Sequence, residues 1–180
     1  MADMNDMYKT LNDLLSTVKL DDVTSESNDS FDNLPDGYYL AEVEKAELKE
    51  SKSSHQPMIA MQFKVVEDGV DVNVNSVGEV SLKNIDKTKN RKIFMYWVLK
   101  DEKSVKRFAS DMLKFEDDNG ESILPKEAFM RSETIEDSIE LLQGMRIYVH
   151  ISTTNNDDGS TSTWSNLITW KRAKILELPV

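Results

Sequence analysis

A mainly β fold with some α-helix is what this sequence predicts, and three observations predict it. Short runs of alternating apolar and polar residues recur between Tyr38 and Ile175. Clusters of Gly, Pro, Asn, Asp and Ser separate these runs and read as turns. Between Asp101 and Gly144 the apolar spacing changes from two residues to three and four, which is the period of a helix.

The elements follow in order. Met4, Met7, Leu11, Leu14, Leu15 and Val18 fall on one stripe of an amphipathic helix over residues 2–19. Residues 20–36 hold six carboxylates, three serines and no base, too little apolar area to offset ordering. The chain therefore divides into residues 1–33, an N-terminal amphipathic helix with an acidic disordered tether, and a folded domain over residues 34–180. Pro35-Asp36-Gly37 makes the entry turn.

Tyr39, Ala41 and Val43 share one face of a first strand; the apolar phase then slips to Ala46 and Leu48, which predicts a bulge. A polar turn precedes a second strand with Ile59, Met61, Phe63 and Val65 inward. Val70, Val72 and Val74 form a weaker strand-like arm bounded by Gly69 and Gly78. A further strand runs from Lys92 to Leu99. Asp101 is placed to cap a helix carrying Val105, Phe108, Met112 and Leu113. A second helix is predicted from Thr134 to Gly144. Met145, Ile147, Val149 and Ile151 alternate in the next strand, and Trp164 to Ile175 reads as the last. This is the order of a five-stranded OB-type barrel with a helical insertion between strands three and four. A sandwich with helices on one side gives a similar pattern.

The composition narrows the function. There is no cysteine, so thiol nucleophiles, disulfides and thiolate metal sites are excluded. No apolar run reaches the roughly 20 residues of a membrane helix, and the first residues lack the basic start of a signal peptide. The expectation is a cytoplasmic protein without a membrane partner. His55 and His150 are the only histidines, and no phosphate loop or hydrolase motif is present, so neither an enzyme nor a cofactor is expected. The net charge is −11, yet Lys83 to Arg107 holds nine basic residues against three acids, a local +6 inside an acidic chain.

Gly37-Tyr38-Tyr39-Leu40-Ala41-Glu42-Val43, Ser51-Lys52-Ser53, Pro57-Met58-Ile59, Phe63-Lys64-Val65 and Arg91-Lys92-Ile93-Phe94 with Trp97-Val98-Leu99 carry a resemblance. Over roughly residues 34 to 115 the sequence resembles a family of phage replication-module proteins regarded as OB-type binders of single-stranded DNA. Ser54-His55 departs from the Gly-Asn often found at that turn tip. The resemblance implies a partner, single-stranded DNA, and a place, the host cell cytoplasm.

A binder of single strands needs cations along the backbone and flat rings on which unpaired bases stack. Lys83, Lys87, Lys89, Arg91, Lys92 and Lys100 are the expected cations. Phe94 and Tyr96 share the outer side of their strand with Lys92, opposite Ile93, Met95 and Trp97. Alternation sets Arg146 and Tyr148 opposite the Ile147 and Val149 face, and puts Trp164 and Trp170 on one face of the last strand. Tyr96, Tyr148 and Trp164 are the best stacking candidates because their neighbours are polar. Residues 2–36 are the segment that would recruit replication or recombination proteins. Two other classes fit the composition: an acidic protein-protein module that mimics DNA to inhibit a host enzyme, and a virion structural protein.

Overall fold

The computed structural model describes residues 34–179 and Asn12. The expected N-terminal helix, Asn12 apart, and the tether as far as residue 33 lie outside the described residues. The domain from Leu34 onward is a seven-stranded antiparallel sheet with helices.

The long strand β1 (Gly37–Glu50) organises it. One edge of β1 pairs with β2 (Pro57–Val65) and, at Tyr38, with β3 (Gly69–Val74). Its other edge pairs with β6 (Arg146–Asn155) from Gly37 to Glu42. The register with β2 shifts between Val43 and Lys45, which is the bulge that the apolar phase slip predicts. Beyond these, β3 pairs β4 (Val80–Ile85), β2 pairs β5 (Lys92–Val98), and β6 pairs β7 (Thr161–Ile168). Gly69 must be glycine, since a Cβ there would lie 2.3 Å from the Tyr39 ring.

Between β5 and β6 lie α1 (Glu102–Met112), a 3-10 turn (Lys126–Phe129) and α2 (Ser132–Leu141). Asp101 caps α1 by accepting from the Ser104 amide at 2.7 Å, and the Ser104 hydroxyl accepts from the Asp101 amide in return. The apolar stripes of these helices meet the inner face of the sheet. Phe108 sits edge-on to Trp97 and to Phe129, with ring centroids 5.9 and 5.7 Å apart. Tyr39, Ile59, Met61, Phe63, Ile147 and Val149 complete this core. Each contributes roughly 1.5 to 3 kcal/mol by leaving water.

The structure corrects three expectations. Among the described residues the strands number seven rather than five, because Val80–Ile85 pairs with the Val70 arm into a hairpin. The sheet is not closed into a barrel: β5 pairs only with β2, and β7 only with β6, among the described residues. The last segment is not one strand. It breaks at Thr169, whose hydroxyl accepts from the Arg172 amide, and continues as α3 (Trp170–Ile175). Ala173 and Leu176 then recur at helical spacing and, with Leu178, form a second core on the outer face of the sheet.

Candidate nucleic-acid interface

The alternation of β5 divides its side chains cleanly. Ile93, Met95 and Trp97 are buried, whereas Phe94 and Tyr96 are 55% and 58% exposed on the outer face. Opposite them on β2 stand Gln62 and Ala60. The short Ala60 side chain leaves a hollow beside Tyr96 that Phe94, Lys45 and Lys49 also border. Two rings two residues apart on a strand stand about 6.6 Å apart, side by side on one surface.

The free edge of β5 faces β7 across a cleft of about 570 Å³. Phe94, Tyr96 and Val98 line one wall, Thr163, Trp164 and Ser165 the other, and Lys100, Lys103 and Arg107 reach it from the start of α1. Trp164 is half exposed, with its indole N–H donating to the Thr154 hydroxyl at 3.0 Å. That bond fixes the ring plane while leaving its face open. Two acids also line the cleft, and both are engaged. Asp101 is spent on the α1 cap, which holds its carboxyl below the ordinary range chiefly through the Ser104 amide. Asp111 accepts from the Trp97 indole at 2.8 Å and pairs with Lys114 at 3.0 Å.

The remaining sequence-predicted cations are dispersed. Lys83 projects from β4 opposite Asp71. Lys87 and Lys89 sit on the β4–β5 turn, where Lys87 takes a positive φ of 62°. Asp68 builds that turn by accepting from the Thr88 and Lys89 amides at 3.0 and 2.9 Å, and these bonds, Lys89 first, lower its pKa. Arg91 is half-buried at the start of β5. Lys92 is bound by the Glu44 carboxylate at 2.5 and 2.6 Å. Lys100 lies at the other end of β5, about 26 Å along the strand from Lys92. The local +6 thus serves two ends of one strand rather than one patch.

Tyr148 and Trp170 do not belong to this surface. Tyr148 is 3% exposed; α3 covers it, Trp170 meets it edge-on at 5.9 Å, and its hydroxyl donates to the Pro179 carbonyl. Burial pushes its pKa up to about 12. Alternation placed the ring on the outer face correctly, but a helix covers that half of the face. Arg146 is exposed and lies 3.7 Å from Glu42. Four residues further along β6, His150 stacks flat on Tyr38 at 4.2 Å, and burial lowers its pKa. The sequence reading missed Lys103, Arg107 and Lys45. The first two could have been found, because residues four apart at the start of a helix share a side.

Among the described residues no group of three or more His, Asp or Glu is placed to hold a metal ion. No helix there is long and apolar enough to cross a membrane. The fold and this site define a mainly antiparallel β protein with an open, aromatic and cationic strand edge. Residues 19–107, which run through β1–β5 into α1, match a family described as a protein of unknown function (DUF669). No curated protein matches the chain.

Proposed function

We propose that this protein binds single-stranded DNA without marked sequence preference, as a non-catalytic component of phage DNA replication or recombination in the host cytoplasm. One observation carries the reading: Phe94, Tyr96 and Trp164 expose their rings around one cleft that Lys100, Lys103 and Arg107 also enter. Rings supply stacking that every base accepts, and the cations follow the phosphates. Connectivity supports an OB-type domain in an open form. β1 serves both β2 and β6, helices intervene before β6, and β5 and β7 are the edges that a closed barrel would join. The β3–β4 hairpin is then an added arm, and residues 2–36 remain the proposed docking segment for replication or recombination proteins.

The test is a poly-dT titration read by tryptophan fluorescence at several salt concentrations. Binding should quench Trp164 emission and weaken steeply as salt rises. Absence of binding at low salt would overturn the reading and favour the acidic mimic of DNA, for which the exposed Glu133, Glu136, Asp137 and Glu140 of α2 are the natural surface.

A further inference from the structure

A carboxylate stands on the surface proposed to receive phosphates. The β1 bulge inserts an extra residue between Val43 and Lys45, and that residue, Glu44, turns onto the outer face. There its carboxylate accepts from Lys92 Nζ at 2.5 and 2.6 Å and from Gln62 Nε2 at 2.8 Å. Gln62 is the cross-strand partner of Phe94, so this ion pair adjoins the first exposed ring. Lys64 and Lys92 also stand directly opposite each other, a like-charge pair that Glu44 offsets.

We infer that Glu44 is an anionic gate on this face: by occupying the Lys92 ammonium it sets how tightly a single strand binds and how steeply salt weakens that binding. The inference rests on the single-strand reading above. A phosphate approaching Phe94 meets a Lys92 ammonium already paired with a carboxylate. To gain Lys92 it must displace a charge-assisted, two-oxygen contact. The Lys92 contact, then that of Gln62, holds the Glu44 carboxyl below its ordinary pKa, so the pair stays ionised at neutral pH. Such a gate keeps the complex from becoming too tight to clear when a strand must be released.

The experiment titrates the full chain, Glu44→Gln, Glu44→Gln with Lys92→Ala, and Glu140→Gln with poly-dT across a tenfold salt range. Glu140 is exposed on α2, and its substitution changes net charge equally. Glu44→Gln should bind more tightly at low salt and steepen the logarithmic salt slope by about 0.7, one phosphate on a single strand. Its advantage over the parent should therefore shrink about fivefold across that salt range. Adding Lys92→Ala should return the slope to that of the parent, and Glu140→Gln should leave it unchanged. A parent that binds while Glu44→Gln alters nothing overturns the gate alone. So does equal steepening in Glu140→Gln, or steepening that survives loss of Lys92. A parent that fails to bind removes the single-strand reading and the gate together.

Discussion

Neighbouring residues on β5 have opposite fates, and this makes the candidate interface separable from the core. Phe94 and Tyr96 contribute little to stability because half of each ring remains in water, so replacing either by Ala should leave the melting temperature nearly unchanged. Each replacement should weaken poly-dT binding by roughly 1 to 3 kcal/mol, the worth of one stacked base. Trp97→Ala should do the reverse, costing roughly 3 to 5 kcal/mol of stability through the cavity left beside Phe108. Paired melting and titration curves check both; a Tyr96→Ala protein that melts early yet binds normally would place the ring in the core. The division between Phe94 and Ile93 was legible in the sequence because β5, unlike β1, carries no bulge and alternates along its length. Tyr148 shows where that rule stops. Its own neighbours, Arg146 and His150, are polar, and nothing within the strand announces that Ala173, Leu176 and Leu178 arrive from 25 or more residues away to bury it.

At the scale of elements, strands whose partners are local were the most readable. β1, with its bulge, and β2 follow from apolar phase alone, as does α1 from Asp101 and its spacing. The weak elements were those whose character depends on a distant partner. β4 carries a single clear apolar residue per turn of the pleat and is a strand because β3 pairs with it. α3 is too short for periodicity to separate it from the alternation of Trp164 to Ile168. It holds because Thr169 caps it and Tyr148 lies beneath. That packing has a pH signature. Burial pushes Tyr148 and also Tyr39 from 10 up to about 12. The folded pKa is raised, so stability is fully present below pH 10 and is lost as pH rises towards 12, where the unfolded chain ionises first. Each tyrosine should contribute a loss on the order of 2 to 3 kcal/mol across that window. Thermal melts between pH 9 and 12 measure it. For Tyr148→Phe the fall should be roughly halved, and an unchanged fall would mean the ring is already solvated.

For the whole molecule, the total charge of −11 is a poor guide and the placement of charge a good one. The basic segment was visible in the sequence, but its division between the two ends of β5 was not, since that follows from the strand being extended. Two triple substitutions separate the ends. Lys100→Gln with Lys103→Gln and Arg107→Gln should flatten the salt slope by up to about 2, three phosphates at about 0.7 each. Lys83→Gln with Lys87→Gln and Lys89→Gln, remote from the cleft, should flatten it by less. Equal effects would move the strand path onto the β4–β5 turn. The strand order itself could not be read in advance, because barrel and open sheet share one order of elements and differ only in whether two edges meet.

Those unjoined edges have a topological consequence. A closed ring of strands around a polymer would have to be threaded from an end. A cleft between β5 and β7, whose facing edges are not joined among the described residues, would let a chain enter sideways and leave the same way. On the single-strand reading proposed above, circular molecules and gaps flanked by duplex on both sides, which offer no terminus, would be as accessible as a linear oligonucleotide. On that reading, loading would need neither a motor nor a break in the strand.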